Sequence, residues 1–280
     1  MKPALQIDLD KILRDKSPVL NKWIPRFLIA WFKKFIHQDE MNFVLNQGQR
    51  LKGVEFAKFT IDYMGATLEF RGLENIPNNG GCIVAANHPL GGLDGMALMV
   101  AVSQVRNDFK FLANDILMHL EPLKDSFIAV NKLGSNAKKN LSIIADEYKS
   151  GKVILIFPSG LCSRKIKGKI VDLEWQKSVI KQSIVNQLPI VPTYIEGENS
   201  GRFYRIANLR KFFKIKFNIE MFTLPDEMYK QKGKNIVLTF GKPISHTSFS
   251  LKTLYSDAQK VKNHVYKLKN DLDLPFSNQL

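Results

Sequence analysis

The feature that most constrains the fold is an alternation of short apolar segments with helical segments, which begins near residue 67. Each apolar segment has the length and pattern of a buried or half-buried strand. Helices are predicted between several of them, for instance over residues 94–104 and 135–151, and at the end of the chain over 251–271. This alternation predicts an α/β fold with a central sheet, mostly parallel or mixed, that is flanked by helices. The predicted strands lie within residues 66–72, 82–86, 109–113, 127–130, 152–157, 188–197 and 235–244.

The region before this alternation is predicted to be helical. Residues 21–37 place Trp23, Phe27, Trp31 and Phe35 at four-residue spacing. Such a stripe is typical either of a helix that packs on a core or of an amphipathic helix that lies in a bilayer interface. A second helix is predicted over roughly 48–64. We therefore divide the chain into an N-terminal helical, membrane-associating segment, residues 1–64, and an α/β domain, residues 65–280.

The longest apolar runs are far shorter than the roughly 18–20 residues that cross a bilayer. The first residues also lack the apolar stretch of a signal peptide and contain early acidic side chains. We therefore expect a cytoplasmic location.

The chain carries a formal net charge of +15, which favours an anionic partner such as nucleic acid, an anionic membrane or an acidic protein or ligand. Part of this charge is concentrated in residues 202–216, which hold six basic side chains and no acidic one. A solvated basic face is the simpler alternative for such a run. No helix-turn-helix, zinc-finger or single-strand-binding pattern accompanies the charge, so we do not predict nucleic-acid binding.

The two cysteines, Cys82 and Cys162, fit neither a disulfide framework nor a zinc site. We therefore predict no metal ion and no bound cofactor. The small and mostly apolar surroundings of Cys162 favour a packed thiol rather than a nucleophile.

The segment "NHPLGGLD" follows a predicted strand and places His88 six positions before Asp94. A histidine whose far nitrogen bonds a carboxylate is the usual group for taking a proton from an alcohol near neutral pH. The glycines between the two residues allow the carboxylate to approach the ring. In the alternative, Asp94 caps the following helix and His88 bonds the backbone; Asp94 can also do both.

A second polar loop, "PSGLCSR", follows the predicted strand of residues 152–157. Its arginine offers a planar fork for phosphate or carboxylate, and amides near a glycine can form an anion-binding nest. Because ligands of α/β sheets bind beyond the carboxyl ends of strands, this loop and the His88 loop are expected to share one site. The predicted substrate-binding residues are Asn87, Ser159, Gly160, Ser163 and Arg164, together with Lys132.

These motifs resemble those of the glycerophospholipid acyltransferase superfamily, the family of the bacterial 1-acylglycerol-3-phosphate acyltransferases. Four blocks that are unspecific singly occur in the family's order, and the resemblance covers roughly residues 65–245. It implies a glycerol-3-phosphate acyltransferase-like fold. The blocks correspond to His88 with Asp94, to residues 127–132, to residues 157–160 and to Val191 with Pro192.

The chain also departs from the common family pattern. Five residues rather than four separate His88 from Asp94, Ser159 stands where most members have glutamate, and Lys132 is at best the second block's arginine. Both loops, with residues 171–180, are similar to the hemolysin-like branch, which includes the acyltransferases that complete ornithine and glycine lipids. The departures disfavour a glycerol-3-phosphate head group and favour an acceptor that carries an amino-acid carboxylate.

The resemblance implies direct acyl transfer, with His88 as the base and Asp94 as the group that orients it. The donor would be the thioester of acyl carrier protein or coenzyme A, and the acceptor a lyso-lipid, as a monoacylated glycine or ornithine lipid. Neither an acyl-enzyme nor a metal is implied. We expect peripheral attachment to an anionic membrane surface, on the cytoplasmic face of the inner membrane. Two alternatives remain, a 1-acylglycerol-3-phosphate acyltransferase and a non-catalytic peripheral membrane-binding protein.

Overall fold

A computed structural model describes residues 7–16, 24–114, 117–118, 120–130 and 137–277 of the chain. Its described helices are α1 Leu9–Lys16, α2 Arg26–Phe35, α3 Gln38–Gln47, α4 Val54–Tyr63, α5 Gly92–Ser103, α6 Ala137–Lys149, α7 Ser178–Asn186, α8 Gly201–Phe212, α9 Leu224–Tyr229 and α10 Leu254–Lys267. Its strands are β1 Thr67–Arg71, β2 Cys82–Ala86, β3 Phe109–Ala113, β4 Phe127–Ala129, β5 Val153–Ile156, β6 Arg164–Ile166, β7 Lys169–Val171, β8 Ile190–Ile195 and β9 Asn235–Phe240.

The centre of the molecule is a seven-stranded sheet in the order β1-β9-β8-β2-β5-β3-β4. The five strands from β8 to β4 are parallel to their neighbours, whereas β9 runs antiparallel to β8 and pairs in parallel with β1. The sheet is therefore mixed and mostly parallel. Helices lie on both of its faces, so the predicted α/β class is confirmed.

Strand β2 lies in the middle of the sheet and is buried along its whole length. Its side chains alternate between two hydrophobic layers, as the pleat of a strand requires. Cys82, Val84 and Ala86 belong to the layer that α4 and α5 cover. Ile83 and Ala85 belong to the opposite layer, which α6, α7 and α10 cover. This double burial explains why the segment is apolar throughout rather than alternating.

The predicted N-terminal helices are present with different limits. The helix predicted over 21–37 corresponds to α2, and Trp23 lies outside the described residues. The helix predicted from residue 48 begins at Val54 instead, because Gly53 adopts a φ of +53° that an α-helix cannot contain. Helix α3 ends before Gly48, so two helices occupy this region. None of the helices in the described ranges is long and apolar enough to span a bilayer.

The aromatic stripe of α2 does not form a core. In this helix Ile29 is buried, whereas Phe27 is 70% and Trp31 60% exposed. Phe35 is partly covered, because the Arg202 guanidinium lies 4.9 Å from its ring centroid. Helix α4 differs from α2, since its apolar face packs on α5 and belongs to the same core as the sheet.

Several described elements were not predicted. Strands β6 and β7 form an antiparallel hairpin whose turn, Lys167 and Gly168, has φ angles of +47° and +80°. Positive φ at both turn residues matches the twist of a two-residue hairpin. The hairpin is largely exposed and lacks the apolar alternation that reveals strands in a sequence. Helices α7, α8 and α9 were likewise not predicted.

Candidate active site

The carboxyl ends of three neighbouring parallel strands, β8, β2 and β5, meet at one edge of the sheet. His88 comes two residues after β2 ends at Ala86, and Phe157 directly follows β5. The two loops are joined by the backbone, because Ser163 N–H donates to the His88 carbonyl at 2.7 Å. The two polar loops therefore lie side by side, as expected, and a backbone hydrogen bond connects them.

His88 and Asp94 are in direct contact. His88 Nδ1 lies 2.8 Å from Asp94 Oδ2. The same carboxylate accepts hydrogen bonds from the backbone N–H groups of Leu90 and Gly91, at 2.8 and 3.1 Å, and is fully buried. Asp94 therefore both orients the imidazole and caps the start of α5. The helix-cap part of the alternative is therefore present together with the orienting contact, whereas the His88 ring bonds Asp94 rather than the backbone.

This geometry fixes which nitrogen of His88 is not bonded to Asp94. With Nδ1 bonded to Asp94, Nε2 is the ring nitrogen left for a proton acceptor role. The His88 side chain keeps 16% of its surface exposed, so it is reachable from outside although its partner carboxylate is at 0%. The ring also stacks on Phe157, with centroids 4.0 Å apart and planes 14° from parallel. The imidazole is therefore held by both an edge contact and a face contact.

The protonation of His88 is shifted by its surroundings. Burial opposes the charged ring, but the neighbouring Cys162 and Asp94 side chains outweigh burial and raise the pKa of His88 well above its ordinary value. Burial also raises the pKa of the Asp94 carboxyl, against the hydrogen bonds that it receives. Perturbed titratable groups that touch one another at a strand end are typical of catalytic sites.

Cys162 is closer to the base than its sequence suggested. Its thiol is fully buried and within hydrogen-bonding reach of the His88 ring. It also packs in a small cluster with Phe203 and Tyr204 of α8. The packed thiol predicted from the sequence is therefore present, and it lies against the predicted base.

Asn87 connects two strands at the site. Its side-chain amide donates to the Ile195 carbonyl at 2.9 Å and accepts from Ile195 N–H at 2.6 Å. Both polar atoms of this side chain, which is 2% exposed, thus bond the last residue of β8. The arrangement holds the ends of β2 and β8 together, and the prediction that Asn87 binds substrate stays a prediction.

The remaining predicted binding residues lie in the loop after β5. Ser159 Oγ donates to the Leu161 carbonyl at 2.8 Å, within a turn where Gly160 is exposed and has a φ of +67°. Ser163 Oγ donates to the Asp172 carboxylate at 2.6 Å. These contacts order the loop, and binding of substrate by its side chains stays a prediction.

Arg164 is buried, and a carboxylate of the protein already faces it. Its guanidinium Nη2 lies 2.7 Å from Glu220 Oε1, and the other oxygen of Glu220 lies 2.9 Å from Arg210 Nε. Glu220 is itself fully buried. The Glu220 carboxylate therefore already binds the guanidinium that was predicted to bind an anion of the substrate. Lys132, the other predicted cation, lies outside the described residues, as does the end of its sequence block.

Two functional candidates were missed by sequence reasoning, Asp172 and Glu220. Both are acidic residues at 0% exposure that contact the loop after β5. Asp172 stands in "VDLEW", where an acid flanked by apolar residues and a tryptophan was a usable signal. Glu220 had no comparable signal, because its partner is 56 positions away.

Among the residues that the structure describes, no group of three or more histidine, cysteine, aspartate or glutamate side chains is placed to hold a metal ion. The prediction that the protein uses no metal and no bound cofactor stays a prediction.

The chain is similar in sequence to known proteins. The sequence profile of a family described as acyltransferase matches residues 11–275. The chain is 42% identical over 264 residues to the lyso-glycine lipid O-acyltransferase of Phocaeicola vulgatus, and the match covers 94% of this chain and 95% of that protein. It is also 42% identical to the lyso-glycine lipid O-acyltransferase of Bacteroides thetaiotaomicron, with 94% and 97% covered.

A solved structure is also similar. The crystal structure of the 1-acyl-sn-glycerophosphate acyltransferase from Thermotoga maritima aligns with 89% of this chain and 98% of that chain. The TM-score is 0.47 and the sequence identity 18%.

Proposed function

The chain belongs to the acyltransferase family, and we propose that it transfers a fatty acyl group to the hydroxyl of a lyso-glycine lipid. Acyl transfer to a lyso-lipid follows from the family and from two relatives that are 42% identical over 94% of the chain. The glycine lipid is the specific part of the proposal. It is supported by the names of those relatives and by the departures from the common family pattern at Ser159 and Lys132.

In the proposed reaction His88 is the general base. Its Nε2 takes the proton of the acceptor hydroxyl while Nδ1 stays bonded to Asp94, whose negative charge stabilises the imidazolium that forms. The acceptor oxygen attacks the thioester carbonyl and forms an ester bond. The carbon–sulfur bond breaks, and the departing thiolate takes the proton from His88. The products are a diacylated lipid and a free thiol.

We propose the thioester of acyl carrier protein or of coenzyme A as the donor. Both carriers are acidic, and the net charge of +15 favours their approach to the protein. The transfer as written needs neither a metal nor a bound cofactor.

The observation that carries this proposal is the contact of 2.8 Å between His88 and Asp94 at the carboxyl end of the central strand, within the part of the chain that matches the family. The test is lipid profiling by mass spectrometry of cells with and without the gene. We expect loss of a diacylated glycine lipid and gain of its monoacyl form.

Transfer by the purified protein provides the matching control. The wild type should acylate lyso-glycine lipid with acyl-CoA or acyl carrier protein as donor, and the His88→Ala variant should not. A change in the phosphatidic acid pool, or preferential acylation of lysophosphatidic acid, would identify a 1-acylglycerol-3-phosphate acyltransferase instead. Normal turnover by folded His88→Ala protein would refute the assignment of the base.

We also propose that the protein docks on an anionic membrane through an exposed aromatic surface. Phe32 of α2 contacts Phe222 edge-on at a centroid distance of 6.2 Å, and Phe222 lies 5.6 Å from Phe217. Phe27 and Trp31 extend from the same helix into solvent. Exposed apolar clusters of this kind mark interaction sites. The aromatic surface comprises Phe27, Trp31, Phe32, Phe35, Phe217 and Phe222.

A basic rim lies next in sequence to this surface. Of the six basic residues of 202–216, Arg202 and Arg210 pair with carboxylates of the protein. The other four have exposed side chains, namely Arg205, Lys211, Lys214 and Lys216. Each cation near an anionic leaflet contributes about 1 kcal/mol, so this rim supplies roughly 4 kcal/mol at low salt. The proposed location is the cytoplasmic face of the inner membrane.

Liposome flotation tests the docking proposal. We expect the wild type to float with anionic vesicles in a salt-sensitive manner. A Phe27→Ser/Trp31→Ser variant should bind more weakly at high salt without loss of thermal stability, because both residues are mostly exposed. Leu251→Ser is the matched control, since Leu251 is also 60% exposed but lies outside the aromatic surface. Failure of the wild type to bind anionic vesicles would refute peripheral attachment by this surface.

A further inference from the structure

We propose that Asp172 is a positioning residue, which fixes the backbone of His88 to the loop after β5 and so holds the base in place for transfer. This inference rests on the proposed role of His88 and adds a residue to the same site. Asp172 follows the β6–β7 hairpin directly and is fully buried. Its hydrogen bond to His88 is with the backbone N–H rather than with the ring, so it acts through the backbone and the neighbouring loop.

The Asp172 carboxylate receives hydrogen bonds on both oxygens. Oδ1 accepts from His88 N–H at 3.2 Å and from Ser163 Oγ at 2.6 Å. Oδ2 accepts from Trp175 Nε1 at 2.8 Å. In addition, Asp172 N–H donates to the Tyr266 hydroxyl at 2.7 Å. One side chain thus joins the loop after β2, the loop after β5 and the segment that leads into α7, while its own backbone is bonded to α10.

The backbone of His88 is held on both sides by this arrangement. Its N–H donates to Asp172 Oδ1, and its carbonyl accepts from Ser163 N–H at 2.7 Å. Ser163 is in turn bonded to the same Asp172 oxygen. These three residues form a closed ring of hydrogen bonds around the peptide groups of His88. Asp94 orients the imidazole ring of His88, whereas Asp172 fixes the position of the His88 backbone.

A buried carboxylate needs compensation, and here it is supplied mostly by neutral donors. An unpaired buried charge is strongly destabilising, so the N–H and O–H donors around Asp172 must remain in place. The nearby Lys262 ammonium also interacts with it. Burial lowers the pKa of Lys262, and the Asp172 charge opposes that shift. Any departure from this network therefore leaves the Asp172 charge with fewer donors.

An asparagine at this position cannot reproduce the network. If its oxygen replaces Oδ1, its NH₂ group faces the Trp175 N–H, which is also a donor. If it is turned over, the NH₂ group faces the His88 N–H. Either orientation places two donors against each other and removes the charge. Misplacement of a catalytic group by about 1 Å costs roughly 10²-fold in rate, which sets the size of the expected effect.

The test compares Asp172→Asn with Asp257→Asn. Asp257 is also a buried carboxylate, at 3% exposure, and accepts from Ser250 N–H and Thr253 Oγ1, which are not residues of the site. We expect Asp172→Asn to lower kcat by about 10²-fold with KM for the thioester changed little. The Asp257→Asn control should lose stability but keep kcat. Kinetics are measured below the unfolding transition, on whichever lyso-lipid the wild type acylates.

A second readout does not depend on turnover. The proton that His88 shares with Asp94 should give a downfield NMR resonance in the wild type, and this resonance should shift or broaden in Asp172→Asn but not in Asp257→Asn. Trp175→Phe removes a single donor from Asp172 Oδ2 and provides a milder variant with the same expected direction. An unchanged resonance together with kcat within twofold of wild type would overturn the inference, even if the proposed acceptor is correct. A wrong acceptor would leave the resonance result intact.

Discussion

Replacement of Asp94 by asparagine tests the central claim about the site, that His88 and Asp94 act as one unit. Asp94 Oδ2 faces His88 Nδ1 at 2.8 Å, and both carboxylate oxygens face the Leu90 N–H, at 3.0 and 2.8 Å. The amide can offer one oxygen. Its NH₂ group must therefore face either the imidazole or the backbone donor, and the charge that stabilises the imidazolium is lost in both cases.

The size of the effect follows from these contacts. A positioned base contributes about 10²- to 10⁴-fold, or roughly 3 to 5 kcal/mol of barrier, and Asp94→Asn should remove most of it. Where the new NH₂ group faces the Leu90 N–H, two donors oppose each other. This should also lower the free energy of unfolding by about 1–3 kcal/mol. The assays are release of the donor thiol with mass-spectrometric detection of the diacylated product, and thermal unfolding by circular dichroism.

A double variant separates coupled from independent roles. If Asp94 acts through His88, the His88→Ala/Asp94→Asn variant should be no slower than His88→Ala alone, because residues that act as a unit are not additive. Multiplicative losses would show that Asp94 contributes by another route. Near wild-type turnover in folded Asp94→Asn protein would refute the pairing altogether.

Four further predictions concern the groups of this site. Activity should rise with pH with a midpoint above 6.5, because His88 must be neutral to accept a proton and its pKa is raised. Cys162→Ser should keep most activity and move this midpoint to lower pH, because Cys162 helps to raise the pKa of His88. A pH–rate profile of each protein measures both effects. Glu220→Gln should destabilise the fold by about 3–5 kcal/mol in chemical denaturation, since it leaves the buried Arg164 without its carboxylate. Asn87→Ala should lower thermal stability by about 1–3 kcal/mol through its two lost bonds to β8; an unchanged melting temperature would contradict this.

The sequence was most informative where one segment determines its own structure. Every strand of the central sheet was predicted, because strands such as β2 are apolar runs with turn residues at their ends. The contact between His88 and Asp94 was also predictable, since His88 lies in the loop that leads into α5 and Asp94 lies in the first turn of that helix. The β6–β7 hairpin was missed because its exposed residues carry no such pattern.

Contacts between distant segments could not be predicted from the sequence. Arg164 was predicted to bind an anion of the substrate, but the buried Glu220 that faces it comes from another part of the chain. Asp172 was noticed only as part of a similar sequence block, because its three acceptor contacts depend on the folded positions of His88, Ser163 and Trp175. The stripe of α2 suited a core and a surface equally, and only packing decides between them.

The order of strands in the sheet has a consequence for the synthesis of the protein. Strand β2 pairs with β5 and with β8, more than a hundred positions later, and β1 finds its partner only when β9 is made. Such distant pairings form slowly, because a long loop must close before any contact compensates for the lost chain entropy. Before β8 is synthesised, Asn87 has no Ile195 backbone to bond, so the end of β2 next to His88 is not yet fixed. The apolar strands made by then also have unpaired edges. Nascent chains of this protein should therefore depend on chaperones until the last strand leaves the ribosome.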